Sequence, residues 1–562
     1  MNGINKDPFA CKLACHLVQA QFGDICETTC CCLLDRGMLS AFDLVRSTGF
    51  KPSQLHSALL VLIQHNFVNC YLQIEETNPR RPPISQTLYE ADLPAILQNL
   101  RKPSLLVHIR DESAGPAVAG EEADQSLSAG EVNEALMKML LEQGRLNLDQ
   151  VIAAAAQNLE QPVEEARELL QRHFLGLVQK RYIERAPGCH EPPPVPFQHR
   201  KGNRKSAPKP GTAEEARHQA QQAKALARAE YEKERFKLPS SLMQAARDDG
   251  AGPEPPKKKH RMGGSTATGP VKEEDDKEKV VLWRVNRDEF NKRLRHAACI
   301  DMVQQKNGPD AAAILRAMLH ATQSYETESK APQSKSVSQD EVISFVRELE
   351  AIDPDYHPPD AVADVLRELS DDALQPVSYT GEGPGGSTYC VNMAAIIRHK
   401  RLLETDAVIR QRFGVHGLRL FRLLYLHRQL EQKQIAEQAM LPPKDAKELL
   451  YRLYRAGFVS LQDVPRTTDH APSRTLYTWR VEIDAAADKL ASELYKAALN
   501  VCLRLDFEYQ RQKDILELVN KGMAQAVQRT HGKQLQKFQQ TLIHLDSALL
   551  RLDSQIAVFN DF

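Results

Sequence analysis

The sequence predicts a mainly α-helical chain with small β wings, built as four tandem winged-helix domains followed by a C-terminal helical coiled coil. Three observations carry this. The stretch Arg412–Val481 reads as helix, helix, turn, helix and then a two-stranded hairpin. The same order recurs near the start of the chain. Near the end, apolar residues alternate in steps of three and four over several turns.

In the stretch 412–481, Leu418, Phe421, Leu424 and Tyr425 keep helical spacing. So do Ile435, Ala439 and Met440, and then Ala446, Leu449, Leu450, Leu453 and Tyr454. Leu441-Pro442-Pro443 separates the second helix from the third, because a proline disfavours helix in the residue before it. Phe458–Leu461 alternates as a strand, and Leu476–Val481 is its partner across a polar, proline-containing loop. Phe22-Gly23 matches Phe413-Gly414, Leu39 matches Leu430, Pro52 matches Pro443, and Phe67-Val68 matches Phe458-Val459, each pair 391 positions apart. Ser85–Tyr89 then aligns with Ser473–Tyr477 at an offset of 388. Two copies of one unit explain the match, with the three-residue change confined to a loop, where it costs little.

Length and composition fit such an array. The 562 residues suffice for several domains, and 42% apolar and 26% charged residues are ordinary for a soluble chain. The net charge is −1, so a nucleic-acid surface has to be local. The opening MNGINKDPFA lacks a signal-peptide core, and no apolar run reaches the length of a membrane span. Eleven cysteines without framework spacing predict reduced thiols in an intracellular protein.

In chain order, residues 1–110 are expected to form the first winged helix, with helices at Cys11–Phe22, Leu39–Ser47 and Ser53–Asn66 and wing strands at Phe67–Ile74 and Thr87–Glu90. A weaker copy occupies 128–186, ending in Arg181–Glu184 as a stub of wing. Residues 187–279 are rich in Pro, Gly, Ser, Lys and Asp and read as a disordered linker. Within it Ala213–Lys237 has high helix propensity but no apolar stripe. The most diverged copy fills 280–400 and ends in a hairpin, Val377–Thr380 with Ser387–Asn392. The fourth copy is 401–484. In the tail, 485–562, Leu535, Phe538, Leu542, Leu545, Leu549, Leu552, Ile556 and Phe559 form a heptad seam, and Leu490, Leu494, Ala497 and Val501 begin another. With Gly532 as a turn, the tail can be an antiparallel hairpin.

Candidate functional residues lie mainly in the fourth copy. Its third helix carries Lys444, Lys447, Arg452 and Arg455, and the wing adds Arg466 and Arg474. Residues 398–480 hold 16 Lys and Arg against 8 Asp and Glu, a net +8 able to neutralise phosphates. The competing reading is a protein-docking unit with a solvated basic face. Residues 310–375 hold 5 basic against 14 acidic side chains, which repels phosphate and favours protein docking. Pro255-Pro256-Lys257-Lys258-Lys259-His260-Arg261 reads as a nuclear import signal, with Lys257, Lys258, Lys259 and Arg261 as its cations, against the plainer reading of a solubilising run. Gly381–Gly386 formally matches GxGxxG, yet it lies between two strands, where no helix N-terminus can meet a dinucleotide phosphate. Cys26, Cys30, Cys31 and Cys32 lack a second ligand pair and read as helix thiols, not a metal site. No nucleophilic triad or carboxylate pair stands out, so no catalytic residue and no cofactor are expected.

Tandem winged helices and a helical tail, together with the Glu431–Trp479 segment, its Asp469–Thr475 wing and the Leu62–Val68 run, resemble the third-subunit family of DNA-directed RNA polymerase III. The resemblance covers about 1–100 and 400–562 well and the middle less well. It implies a non-catalytic polymerase subunit in the nucleus, joined in a heterotrimer with two smaller polymerase III–specific subunits and docked on the clamp of the largest subunit. It also implies kinship with the large subunit of TFIIE and a role in promoter opening on DNA held without sequence preference. The alanine-rich linker departs from the family pattern, and a TFIIE-like zinc ribbon is missing. Two other readings stay open: a scaffold protein whose winged helices bind only protein, and a DNA-binding regulator with a dimerising coiled coil.

Overall fold

The computed structural model describes residues 7–75, 84–113, 128–187, 235–238, 281–326, 328–352, 361–383, 385–465, 475–519, 521 and 524–562. The first unit comprises α1 (Pro8–Phe22), α2 (Asp24–Arg36), β1 (Leu39–Ser40), α3 (Ala41–Thr48), α4 (Pro52–Gln64), β2 (Val68–Glu75) and β3 (Ile84–Ala91). Its sheet runs β1-β3-β2, with Leu39 opposite Tyr89 and Val68 opposite Ala91. The middle helix begins later than its periodicity predicts. Leu39 and Ser40 pair as a strand, and the Ser40 hydroxyl accepts from the Asp43 amide to cap α3. A helix over Asp24–Arg36 carries the four cysteines read as helix thiols and buries Cys26, Thr29, Cys30, Leu33 and Leu34. Cys15 is disulfide-bonded to Cys31 across α1 and α2, so those two are not the reduced thiols expected; Cys26 and Cys30 are free and buried.

Beyond α5 (Leu93–Leu97) and α6 (Lys102–Ser113), the second unit holds α7 (Ala129–Gln143), α8 (Leu148–Asn158), α9 (Val163–Gln179) and β4 (Ile183–Arg185). The expected wing stub is a paired strand. Its partner, β5 (Trp283–Val285), comes from beyond the linker, with Ile183 opposite Val285. Leu146 bridges to Trp283, as Leu39 does to Tyr89 in the first unit. Trp283 is 1% exposed and meets Phe174 edge-on at 5.4 Å. The sequence placed 281–290 in the third unit; burial of Trp283 and Phe290 beside Tyr182 puts it in the second core. The two wing strands of this unit are thus 98 positions apart, Arg185 to Trp283, with the linker between them in the sequence. Most of the linker, including Ala213–Glu234 and the Lys257–Arg261 cluster, lies outside the described residues.

The third unit comprises α10 (Arg287–Asn307), α11 (Pro309–Thr322), β6 (Val337–Ser338), α12 (Gln339–Ile352), α13 (Val362–Asp371), β7 (Val377–Gly383) and β8 (Gly386–Val391). Its sheet order, β6-β8-β7, repeats that of the first unit. The GxGxxG match is the tip of the β7–β8 hairpin, in line with the reading against a dinucleotide loop. The fourth unit follows with α14 (Met393–His427), β9 (Gln429–Glu431), α15 (Gln432–Gln438), α16 (Pro443–Arg455), β10 (Ser460–Pro465) and β11 (Thr475–Arg480), in the order β10-β11-β9. Equivalent glycines break the leading helix of three units. Gly23, Gly308 and Gly414 have φ of 83°, 96° and 74° with ψ near 180°, a backbone that side chains resist.

The tail is α17 (Ile483–Arg511), α18 (Lys513–Leu518) and α19 (Ala524–Ile556), with a last turn Ala557–Asp561. α17 and α19 run antiparallel, with Tyr509 against Phe538 at one end and Leu490 beside Phe559 at the other. Of the seam residues, Phe538, Ile556 and Phe559 are buried, and Leu535, Leu542, Leu545, Leu549 and Leu552 are partly buried. Leu549, Leu552 and Ile556 pack with Tyr495, Ala498 and Cys502 into the core of the first unit. The seam is covered within the chain. No described helix is long and apolar enough to cross a membrane.

Candidate nucleic-acid interface

The third helix of the fourth unit, α16, is fixed by its apolar side. Ala446, Leu450 and Leu453 are fully buried, the two leucines in one core with Leu420, Phe421, Leu424 and Phe458. Their spacing of four and three leaves the other face to solvent. Pro443 opens the helix, its missing N–H being unneeded there. The preceding turn places Met440 at φ 54° with 87% of its surface exposed. The first unit has Gly49 at this position, also left-handed. A non-glycine residue costs about 1–2 kcal/mol in that conformation.

Lys444, Lys447, Arg452 and Arg455 are all exposed. At about 100° per residue, Lys444, Tyr451 and Arg455 share one line, with Lys447 about 60° to one side. Lys447 and Arg455 are about 80° apart. Arg452 turns the other way, its guanidinium 5.7 Å from the Phe413 ring centroid. It is a packing cation at the edge of the face. Among the described residues no ion pair engages Lys444, Lys447 or Arg455. Arg466 and Arg474 lie outside the described residues; β10 and β11 bracket them, with Pro465 opposite Thr475.

An aromatic group beside these cations escaped the sequence reading. Trp479 on β11 is buried, and Tyr451 and Tyr454 meet it edge-on at 5.3 and 6.1 Å. Both tyrosines are 49% exposed, and Tyr477 on the same strand face is also exposed. The available signal was tyrosine at i and i+3 on α16, facing a strand with aromatic residues two apart. The outward face of α16 thus carries cations and flat rings with one acid, Glu448, among them, a surface suited to phosphates and bases.

The same face differs in the other units. At the 391-residue offset, α4 carries Ser53, His56, Leu60 and Gln64 in place of Lys444, Lys447, Tyr451 and Arg455. Gln64 is already engaged, its side chain donating to the Gln143 carbonyl and its own carbonyl accepting from the Arg145 amide. Gly144 is required at this contact, because a β-carbon there would lie 2.2 Å from the Gln64 oxygen. In the third unit α13 exposes Asp364, Glu368 and Asp371, a face that repels phosphate. No group of three or more His, Cys, Asp or Glu side chains among the described residues is placed to hold a metal ion.

A helix-turn-helix followed by a wing, repeated along the chain with a cationic third helix in its last copy, defines a tandem winged-helix protein. Three family models match it: "RNA polymerase III subunit RPC82 helix-turn-helix domain" over 12–73, "RNA polymerase III subunit RPC82" over 172–399, and "POLR3C, C-terminal winged-helix domain" over 405–481. The second of these spans the linker, as the β4–β5 pairing does. The chain is 27% identical over 522 residues to DNA-directed RNA polymerase III subunit RPC3 of Bos taurus, covering 90% of this chain and 86% of that one. It is 27% identical to the Homo sapiens subunit over 521 residues, 90% and 85% of the two chains. Over 206 residues, 35% of this chain and 33% of the relative, it is 31% identical to the subunit of Emericella nidulans. The chain belongs to the RPC3 (RPC82) family of RNA polymerase III subunits.

Proposed function

We propose that the chain is a non-catalytic subunit of nuclear RNA polymerase III that acts in transcription initiation. It joins two smaller polymerase III–specific subunits in a heterotrimer, docks that heterotrimer on the clamp of the largest subunit, and holds DNA through α16 and its wing while the promoter opens. One observation carries the DNA role: Lys444, Lys447 and Arg455 project from α16 without ion-pair partners among the described residues, beside Tyr451 and Tyr454. Lys444, Lys447 and Arg455 meet phosphates, while Asp445 and Glu448 beside them repel phosphate and offer only acceptors toward a base edge, so binding is independent of sequence and promoter choice rests with other factors. The acidic α13 and the neutral α4 are faces for protein.

The test is a polymerase carrying Lys444→Glu, Lys447→Glu and Arg455→Glu. It is expected to assemble normally and to give weak permanganate reactivity in the melted region. Wild-type opening by this enzyme would leave α16 with a protein-docking role. That is the second reading, a scaffold whose units bind only protein, and the acidic face of α13 is the observation that favours it.

A further inference from the structure

A second cationic surface lies beside the first. A groove of about 370 Å³ runs between α1, α14 and α17 and is lined by Phe9, Arg412, Lys489, Ser492, Glu493, Lys496, Ala497 and Asn500. Lys489, Lys496 and Asn500 are exposed. The only acid in the lining, Glu493, is paired with Arg412. Phe9 is flanked by two cations, the Lys496 ammonium 5.4 Å and the Lys12 ammonium 5.8 Å from its ring centroid. The groove draws these residues from three separate parts of the sequence. Phe9 and Arg412 come from the leading helices of the first and fourth units, and the other residues from the tail.

The groove continues from α16. The stem of Lys489 lies against Gly457, just past the end of that helix, where a β-carbon would sit 3.5 Å from it. Arg412 adjoins Phe413, over which the Arg452 guanidinium lies. Cations therefore follow one another from Lys444 and Arg455 to Lys489, and on through Lys496 to Lys12. Lys489 and Lys496 are two turns apart, about 10 Å along α17, or about three rises of 3.4 Å measured along the axis of a DNA duplex.

We propose that this groove is a second phosphate-backbone site, in which Lys489, Lys496 and Arg412 carry the nucleic acid past the winged helix onto the tail. The inference rests on α16 being a nucleic-acid surface and lengthens its footprint. Arg412 and Asn500 supply donors, and the Phe9 ring offers a flat apolar wall between two cations. The tail then does two things: its inner seam holds the first unit, and its outer face tracks phosphates.

The test uses the full chain and duplexes of about one and about three helical turns, roughly 10 and 30 base pairs, with single strands of matched length. Lys489→Gln with Lys496→Gln is expected to lower the log–log salt slope on the long duplex by about 1.8, two contacts at about 0.9 each. On the short duplex, which α16 alone can cover, the slope is expected to stay unchanged. On long single strands the expected fall is about 1.4. An unchanged slope on both long ligands overturns the groove and leaves α16 standing. A wild-type chain that binds neither length overturns the α16 reading as well. Should the double variant melt below the wild type, a photo-crosslinker at Asn500 in the otherwise native chain decides the matter: a DNA adduct supports the groove, and its absence overturns it.

Discussion

The Arg101 guanidinium donates to both oxygens of Asp553, at 3.0 and 3.1 Å, although the two residues are 452 positions apart. Arg101 also donates to the Asn291 side chain at 2.9 Å and pairs with Asp561 at 2.8 Å. Arg101, Asn291 and Asp553 are buried, and Asp561 is partly buried. Burial opposes the charge of Arg101, but Asp553 and Asp561 outweigh it and hold the guanidinium protonated. Burial likewise raises the Asp553 carboxyl, against the pull of Arg101. Around this centre the last turn is tied to other units: Arg401 donates to the Val558 and Phe562 oxygens, and Lys330 to the Asn560 oxygen. The tail thus joins the helix that follows the first unit to α10 and α14.

Arg101→Met is expected to destabilise the chain by about 3–5 kcal/mol, because it leaves the buried Asp553 and the partly buried Asp561 without their cation. Adding Asp553→Asn should recover part of the loss. Thermal and urea unfolding of both variants check this. An Arg101→Met chain as stable as the wild type would show that the cluster contributes nothing.

His65 gives a pH dependence with a definite sign. Its ring centroid lies 4.5 Å from that of Phe22, the planes tilted by 50°, and burial, followed by the charges of Lys102 and Arg287, lowers its pKa from 6.5 to about 4. Because the folded-state value is depressed, the unfolded chain binds the proton first as pH falls. Stability is therefore full above about pH 6.5 and falls between that value and about pH 4. His65→Gln should flatten the stability profile in that window. An equal slope in the variant assigns the dependence to other groups.

Cleavage anywhere between residues 188 and 280 is expected to leave the two fragments bound, since β4 pairs with β5 and Trp283 fills the core of the second unit. Trp283→Ala should cost about 3–5 kcal/mol and weaken that association. Size-exclusion chromatography of nicked wild type and variant reads both effects. Separation of the nicked wild-type fragments would refute the pairing.

Lys257→Ala, Lys258→Ala and Lys259→Ala in the linker, fused to a reporter too large to diffuse through pores, should reduce its nuclear accumulation. Unchanged accumulation would reduce the cluster to a solvated charge run.

Much of this fold could be read from residue spacing. The repeat at 391 positions located the first and fourth units, because buried positions such as Phe67 and Phe458 tolerate little change. The steps of three and four from Leu535 to Phe559 located the tail helix. The periodicity could not say what covers that stripe, since an intramolecular partner and a second chain demand the same residues. The second unit was cut short because its wing strands, Ile183–Arg185 and Trp283–Val285, are separated by a segment that carries no strand signal. Local patterns cannot pair residues across such a gap. The cations of α16 were visible as composition. Their arrangement was not, because it depends on which residues the helix buries, and so Arg452 was grouped with Lys444 when it leans on Phe413 instead. The Arg101–Asp553 pair left no trace in spacing.

The most direct measurement is the salt dependence of DNA affinity for the full chain, compared with Lys444→Gln, Lys447→Gln and Arg455→Gln combined. With three phosphate contacts removed at about 0.9 each, the log–log slope on duplex DNA should fall by about 2 to 3, equally for unrelated sequences. The three residues are exposed, so melting should be unaffected. The same slope in wild type and variant would contradict the account, and α16 would then not be the surface that holds DNA.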